Sequence, residues 1–273
     1  MEHLEGRVSI LAALRARQRR FQVILVRHGV HEETVRDVLD VARELGVPTR
    51  SADARELDAM AHGATHGGLV AVVSPKPRTT VAQLREILDL LRSEPPLLLL
   101  LEGVDDARNL GFVLRSALAL GAHAVMIKKH LWDFDAQDVA RASSGAYELL
   151  PLVQIDSVEP LRELQKQGLR LIGCLAGAKR TLYDTDLTGG TILAIGGEKR
   201  GLSGAVRSIC DAFLTIPSRA DAPSLSLSHA SALVLGEAAR QRGAPAMRRE
   251  GEAPAEPESE RRTARQEPRP PVP

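Results

Sequence analysis

Residues 191–203 read TILAIGGEKRGLS, an apolar run that stops abruptly at a pair of glycines. This pattern predicts a buried strand over residues 191–195 and then a tight turn, where the backbone can come close to a ligand. Gly196 and Gly201 have the spacing of a phosphate-binding P-loop, but Leu202 stands where that loop has its lysine. Without the lysine we expect a ligand other than a nucleoside triphosphate, with Leu202 against its apolar part. A glycine turn that binds nothing is the alternative.

Apolar runs of strand length alternate with helical patterns on both sides of this stretch. The predicted strands cover residues 97–101, 124–127, 149–153, 169–174, 191–195 and 212–216, and the predicted helices cover residues 110–120, 135–142, 158–167 and 227–241. Continuously apolar strands separated by helices are typical of a parallel sheet covered on both faces. Ligands of such sheets bind beyond the carboxyl ends of the strands, which is where Gly196 lies. The sequence therefore predicts an α/β domain over residues 97–241.

A smaller α/β unit is predicted over residues 1–75. Its predicted helices cover residues 8–14 and 32–45, and its predicted strands cover residues 21–26 and 69–73. Prolines bracket a short predicted helix over residues 81–91, so we interpret residues 76–96 as a linker. Residues 242–273 are rich in Pro, Arg and Glu with almost no large apolar residue, and we expect this tail to be disordered.

The composition is that of a globular protein of the reducing cytoplasm. The chain has 273 residues, 44% of them apolar, which suffice for two cores, and a net charge of +1 that is compatible with local basic clusters. Cys174 and Cys210 form neither a disulfide framework nor a C-x-x-C site. No apolar run is long enough to span a membrane and the first residues lack a signal-peptide pattern. We therefore expect a cytoplasmic protein without membrane contacts.

Four segments of the larger domain place polar or glycine residues at a strand end or a helix start. They are residues 102–115, residues 141–148, the loop with Glu198, and residues 216–230. In the first, Arg115 follows Asn109 by six residues and is expected on roughly the same, inner side of a helix. A buried arginine is costly unless it binds an anion or a carboxylate. In the second, the small residues would allow a ligand to pack closely against the backbone. Each segment could instead be a simple helix cap.

Three of these segments resemble the motifs of the SpoU/TrmH-type RNA ribose methyltransferases, which belong to the SPOUT superfamily of knotted, S-adenosylmethionine-dependent enzymes. The matching features are Asn109 with Arg115, the Gly-Gly-Glu loop that runs to Gly201, and Ile-Pro followed by Ser-Leu-Ser-Leu-Ser at residues 224–228. Their order and spacing agree with the family over residues 97–240. Residues 64–71, ATHGGLVA, end a unit that is similar to the family's small substrate-binding domain.

The resemblance implies a small N-terminal RNA-binding α/β domain, a parallel-sheet SPOUT domain with a trefoil knot, and a homodimer. It implies that S-adenosylmethionine binds in the knot, at Leu175, Ala176, Gly177, Gly196, Gly201, Ile216, Pro217, Ser224, Leu225 and Ser226. It also implies that Arg115 lies near the ribose 2′-oxygen and that Asn109, Glu198 and Ser228 order the pocket.

The chemistry of methyl transfer agrees with this set of residues. A ribose 2′-hydroxyl titrates far above neutral pH, so its attack on a sulfonium methyl needs help in losing the proton. A guanidinium stays protonated and is a poor base. We therefore interpret Arg115 as an electrostatic partner of the developing alkoxide or of an adjacent phosphate. The positive sulfonium already drives the transfer, so no metal is required.

RNA is the expected partner, and 23S ribosomal RNA is favoured over tRNA because the family's ribosomal enzymes typically carry such an N-terminal domain. The basic string Arg15, Arg17, Arg19 and Arg20 is predicted to contact phosphates, although a solvated helix end has the same pattern. Ser226 stands where the family's third motif usually has Asn. A tRNA methyltransferase and a catalytically impaired RNA-binding paralogue that acts in ribosome assembly are the two alternatives.

Two histidine pairs have spacings that could bind a metal. His28 and His31 are spaced H-x-x-H, and His62 and His66 are spaced H-x-x-x-H. No Cys or carboxylate cluster accompanies either pair, so we expect no metal site.

Overall fold

The computed structural model describes residues 1–61, 66–91, 94–128, 134–219, 221 and 224–243. The strands in these ranges are β1 (Glu2–Glu5), β2 (Phe21–Arg27), β3 (Thr49–Ala52), β4 (Leu69–Val73), β5 (Leu97–Glu102), β6 (Ala124–Lys128), β7 (Leu152–Ile155), β8 (Arg170–Cys174), β9 (Arg180–Thr181), β10 (Thr191–Gly196) and β11 (Ala212–Thr215). The helices are α1 (Gly6–Ala16), α2 (Glu32–Glu44), α3 (Ala54–Met60), α4 (Val81–Leu90), α5 (Ala107–Ala119), α6 (Ala136–Ser143), α7 (Ala146–Leu149), α8 (Glu159–Lys166), α9 (Gly204–Arg207) and α10 (Leu227–Gln241).

The larger sheet has seven strands in the order β7-β6-β5-β10-β8-β11-β9, and its strand pairs are parallel. The predicted α/β class and parallel sheet are therefore confirmed. β10 lies at the centre, between β5 and β8, and the side chains of Leu97–Leu101 and Ile192–Ala194 are almost completely buried. Apolar residues on both strand faces are buried because helices cover both faces of the sheet. The carboxyl ends of β5, β8, β10 and β11 consequently lie at one edge.

Strand β7 differs most from its prediction. A strand was expected over residues 149–153, but β7 begins at Leu152. The preceding residues form the short helix α7, whose start follows Gly145 in the left-handed region at φ +86°. Helix α7 takes up Leu149, the first residue of the apolar run, and Leu150 and Pro151 connect it to β7, so the strand begins later than the run.

The small unit is a four-stranded sheet in the order β1-β4-β2-β3. Strands β2 and β4 and the helices α1 and α2 were predicted, whereas β1, β3 and α3 were not. β3 pairs in parallel with β2 at the sheet edge, and most of its side chains are exposed. Because its sequence is TRSA, it has neither an apolar run nor an alternating pattern.

The predicted linker over residues 76–96 makes contacts with the large sheet. Thr79 forms a parallel bridge with Val153 of β7. Leu84 of α4 is completely buried and belongs to the same apolar cluster as Leu98 and Leu100 of β5. Helix α4 therefore packs on the large sheet. The exact domain boundaries remain a prediction.

Residues 141–148 contact the small unit. A Cβ atom at Gly145 would lie 2.8 Å from Cβ of Ala12 in α1, so only glycine permits this approach of the two units. The buried Lys76 amine donates to the carbonyl oxygens of Tyr147 and Leu150. The interpretation of this segment as a ligand-packing surface is therefore wrong. Its small residues allow the two units to pack closely.

Arg19 also belongs to this contact, which corrects its assignment to phosphate binding. Its Nε and Nη2 atoms donate to the two carboxylate oxygens of Glu148, each at 2.8 Å. Its Nη1 atom donates to Glu2 at 2.5 Å and to the Ser74 carbonyl at 2.9 Å. Only 1% of the Arg19 side chain is exposed, so RNA phosphates cannot reach the guanidinium. Its neighbours Arg15, Arg17 and Arg20 are exposed.

None of the helices in the described ranges is long and apolar enough to cross a membrane. The predicted disordered tail lies outside the described residues from position 244 onward. The trefoil knot stays a prediction.

Candidate active site

The three predicted motifs meet at the N-terminal end of α10. The first N–H groups of a helix have no partner within it and need acceptors from elsewhere. Here each of the first three is accepted by a side chain from a different motif. The pairs are Leu227 N–H to Glu198 Oε1 at 3.3 Å, Ser228 N–H to Asn109 Oδ1 at 3.2 Å, and His229 N–H to Ser226 Oγ at 3.3 Å. The motifs therefore build one structural unit, although they are far apart in the chain.

Asn109 and Glu198 also contact each other. The Asn109 side-chain amide donates to Glu198 Oε1 at 3.4 Å. Asn109 lies in the first turn of α5, where its N–H is accepted by the N-cap residue Asp106 at 2.7 Å. The positive end of the α10 dipole favours the carboxylate of Glu198 at this position. Glu198 thus joins the loop after β10 to both helices.

Ser226 is the N-cap residue of α10. Its hydroxyl also lies 3.1 Å from the Ser228 hydroxyl and 2.5 Å from Nδ1 of His229. Ser and Asn are about equally good N-caps. The replacement of the family's Asn by Ser226 therefore preserves the capping of this helix.

The residues predicted to hold the cofactor lie on the loops that follow β8, β10 and β11, three adjacent strands of the sheet. Leu175–Gly177 follow β8, Gly196 and Gly201 bracket the turn after β10, and Ile216, Pro217, Ser224, Leu225 and Ser226 follow β11. The structure therefore brings all three segments to one edge of the sheet. Leu225 is 41% exposed, so its side chain is accessible at this edge.

The glycines after β10 allow the backbone to fold back on itself. Gly201 N–H donates to the Gly197 carbonyl at 2.8 Å. A Cβ at Gly196 would lie 2.0 Å from the Gly201 carbonyl carbon, and a Cβ at Gly197 would lie 2.0 Å from the Gly103 oxygen. Any side chain at either position would clash with backbone. The sequence predicted a close contact between this turn and a ligand. In the structure the close contacts are between backbone segments of the protein, Gly196 with Gly201 and Gly197 with Gly103.

Leu202 was expected to face a ligand, and this prediction is wrong. It is 5% exposed and belongs to the apolar cluster on one face of the large sheet, with Ala194 and Val206. It anchors the end of the loop, and the burial of its side chain favours the folded state by roughly 1.5–3 kcal/mol.

Arg115 is exposed on α5, and within the described part of the chain its guanidinium has no hydrogen-bond or ion-pair partner. Residues six apart on an α-helix differ by about 120° around its axis, so Arg115 does not share the side of Asn109. The expectation of an arginine on the inner side is therefore corrected. Its side chain is free to meet a ligand from solvent.

A cleft of about 560 Å³ opens next to this unit, beyond the carboxyl ends of β5, β6 and β10. On its wall Lys128 Nζ donates to Glu102 at 2.7 Å and to the Ser203 hydroxyl at 3.0 Å, and Ser203 N–H donates to Glu102 at 2.7 Å. Burial alone would raise the pKa of Glu102, but the hydrogen bonds from Lys128 and Ser203 hold it below its usual value. No role was predicted for Lys128. A sequence signal for this pair was available, because Glu102 and Lys128 are each the charged last residue of an apolar strand.

One of the four histidines with chelating spacings, His66, is engaged in the local fold through both ring nitrogens. His66 is 2% exposed, with Nε2 3.0 Å from Asp58 and Nδ1 accepting from Gly68 N–H at 3.0 Å. Both nitrogens are therefore used in the local fold. His62 lies outside the described residues, and His28 and His31 are exposed. The described ranges hold no group of three or more His, Cys, Asp or Glu arranged for a metal.

Two family profiles match the chain. The SpoU rRNA Methylase family matches residues 96–236, and the profile for RNA 2′-O ribose methyltransferase substrate binding matches residues 3–79. Together they cover both sheets and the edge at which the three motifs meet.

Individual relatives match over most of the chain. The 23S rRNA (guanosine-2′-O-)-methyltransferase RlmB of Pseudomonas syringae pv. tomato is 38% identical, over 89% of this chain and 97% of the relative. RlmB of Escherichia coli K12 is 34% identical, over 88% of this chain and 99% of the relative. The crystal structure of the SpoU methyltransferase AviRb from Streptomyces viridochromogenes, in complex with the cofactor AdoMet, aligns with a TM-score of 0.72 and 28% identity. That alignment covers 88% of this chain and 90% of the other.

Proposed function

Because the chain belongs to the SpoU rRNA methylase family, we propose that it transfers a methyl group from S-adenosylmethionine to the 2′-hydroxyl of a guanosine in 23S ribosomal RNA. The observation that carries the proposal is the start of α10, where Glu198, Asn109 and Ser226 each accept one of the first three N–H groups. This arrangement fixes the loop between β11 and α10 relative to α5, where the proposed catalytic arginine lies.

The residues at this edge fit S-adenosylmethionine, which is a cation with an adenosine end. The exposed side chains of Leu225 and Pro217 offer apolar contacts to an adenine ring, and the exposed backbone of Ala176 and Gly177 offers hydrogen bonds. The Glu198 carboxylate gives the edge a negative charge suited to a cation. When bound, the cofactor supplies a methyl group on a positively charged sulfur.

Arg115 is proposed to stabilise the negative charge that develops on the ribose oxygen. Its exposed side chain can approach RNA, and a guanidinium binds alkoxide or phosphate oxygens without changing its protonation. Asn109, Glu198 and Ser228 would act by holding the start of α10 in place. Ser226 keeps its capping role, which supports an active enzyme over the impaired paralogue.

RNA is proposed to extend from this site across the small unit, where Arg15, Arg17 and Arg20 are exposed and available to phosphates. The relatives named for 23S rRNA match the small unit as well as the large one, which supports ribosomal RNA over tRNA as the substrate. A homodimer and a cytoplasmic location are part of the same proposal.

The test is methyl transfer to RNA from a strain that lacks the protein. We expect the purified protein to methylate one guanosine of that strain's 23S rRNA when S-adenosylmethionine is supplied, and to leave its tRNA unchanged. Arg115→Ala should lower kcat by roughly 100- to 1000-fold, the usual loss when one charge-stabilising donor is removed. Arg108→Ala, an exposed arginine of the same helix, is the matched control. A deletion strain that lacks a tRNA mark but keeps all rRNA marks would contradict the assignment.

A further inference from the structure

The cleft beyond β5, β6 and β10 takes no part in holding α10, yet it adjoins that site. The turn after β10 separates the two, because Gly197, Gly201 and Ser203 line the cleft while Glu198 contacts α10. With a volume of about 560 Å³ the cleft is large enough for a nucleotide. A nucleotide held there would lie beside the loops proposed to bind the methyl donor.

The wall of the cleft presents hydrogen-bond donors and acceptors side by side. Lys128 has three donors, of which two are used on Glu102 and Ser203 within the described part of the chain. The third remains for a ligand. Glu102 Oε1 accepts from Lys128 and Oε2 accepts from Ser203 N–H, and the Ser203 side chain also hydrogen-bonds this carboxylate. A carboxylate has about four acceptor positions, so it keeps acceptor capacity for a ligand. The two side chains are only 13% and 15% exposed, so their orientations are fixed by their surroundings.

The Lys128–Glu102 pair is neutral overall, so a neutral group that both accepts and donates at one edge fits this pair better than a phosphate does. The exposed Arg200 also lines the cleft, and its positive charge suits the phosphate of a nucleotide whose base lies against the pair. The Watson–Crick edge of guanine has an acceptor at O6 next to donors at N1 and N2, whereas adenine has a donor at N6 next to an acceptor at N1. Uracil matches the first two guanine positions but lacks the third. Flipped-out bases of RNA are commonly read in this way.

We propose that this cleft binds the base of the target nucleotide, with Lys128 donating to guanine O6 and Glu102 accepting from N1–H and N2–H. The inference rests on the proposed function and assigns its base specificity to two side chains. Lys199, which is exposed and paired with Asp105 at 2.8 Å, lies at the cleft rim. It is not needed for the reading of the base.

The experiment compares kcat/KM for methylation of 23S rRNA fragments that carry guanosine, inosine or adenosine at the modified nucleotide. Wild type is expected to prefer guanosine over adenosine by about 5- to 150-fold, the discrimination typical of a bidentate base contact. Lys128→Met should lose most of this preference through a lower rate on guanosine. Glu102→Gln should reduce the preference for guanosine over inosine, which lacks the N2 amino group. Lys166→Met, an exposed lysine on α8, is the control and should match wild type.

The double variant Lys128→Met with Glu102→Gln removes both charges together, so its loss of base preference cannot come from an unpaired buried charge. Circular dichroism and calorimetry with S-adenosylmethionine verify that each variant is folded.

Binding of GMP, AMP and UMP, followed by ligand-observed NMR, tests the cleft without catalysis and should show a preference for GMP that Lys128→Met removes. The inference is overturned if folded variants keep the wild-type base preference, or if their activity falls equally on all three RNAs. Failure of the wild type to methylate any RNA refutes the proposed function, whereas the NMR result still decides on the cleft.

Discussion

Replacing Glu148 by glutamine is expected to weaken the attachment of the small unit to the large one. Glu148 and Arg19 are each 1% exposed in their side chains and are joined by two hydrogen bonds of 2.8 Å. Glutamine keeps the size of the side chain but removes its charge, and its amide can accept only one of the two bonds. Arg19 then keeps Glu2 and the Ser74 carbonyl as its remaining partners.

The size of the expected loss in unfolding free energy follows from the burial of the Arg19 and Glu148 side chains. Loss of one partner of a buried ion pair costs about 3–5 kcal/mol because the other charge stays buried without compensation. Glu148→Gln should lie near the lower value, since Glu2 still faces Arg19, and Arg19→Met should lie near the upper one. For a chain of this size about 3 kcal/mol corresponds to a fall in Tm of roughly 6–12 °C. The double variant Arg19→Met with Glu148→Gln should recover part of the loss, because the charge that it leaves unpaired, that of Glu2, is 31% exposed in its side chain.

Calorimetric and urea unfolding of the four proteins form a double-mutant cycle. Arg20→Met removes the neighbouring, exposed arginine and should change the stability by less than about 0.5 kcal/mol. The expected signature is a strong non-additivity of the two single variants. Additive losses, or a loss below about 1 kcal/mol for Glu148→Gln, would show that this pair does not hold the two units together.

Two further predictions concern single side chains. Burial lowers the pKa of Lys76 from 10.5 to about 8, so between these values the unfolded chain binds more protons at this residue and the contribution of Lys76 to stability rises with pH. Burial also raises the pKa values of Cys174 and Cys210 from 9.0 to about 11, which lowers the stability of the protein in the same range, so the quantity to measure is the difference between wild type and Lys76→Met. In urea unfolding this difference should shift in favour of wild type by up to about 3 kcal/mol across the range, and an unchanged difference would contradict the prediction. Ser226→Ala should destabilise the protein by about 1 kcal/mol through loss of the α10 cap, whereas Ser226→Asn should be nearly neutral; equal Tm values for the alanine variant and wild type would refute the capping role.

The parallel sheet and the meeting of the motifs were predictable because both depend on local signals. Buried strands are marked by apolar runs such as residues 97–101, and parallel strands necessarily end at one edge. The burial of Arg19 in an ion pair with Glu148 was not predictable in this way. Its partner Glu148 lies 129 residues away, and a basic string looks the same whether its side chains are solvated or buried. β3 was missed for a similar reason, since only its pairing with β2 makes the polar sequence TRSA a strand.

The geometry at α10 separates two kinds of residue within the predicted catalytic set. Asn109 and Glu198 use side-chain oxygens to accept the first N–H groups of the helix, and these oxygens are therefore engaged before any ligand arrives. Arg115 has no such partner in the described part of the chain and is exposed. The former can affect methyl transfer mainly by positioning the loop before α10, which includes Leu225. In the proposed reaction, the latter acts directly on the ribose oxygen. A motif that looks like one catalytic set in sequence is thus divided, in the folded protein, into residues that hold the site and a residue that is free to take part in the chemistry.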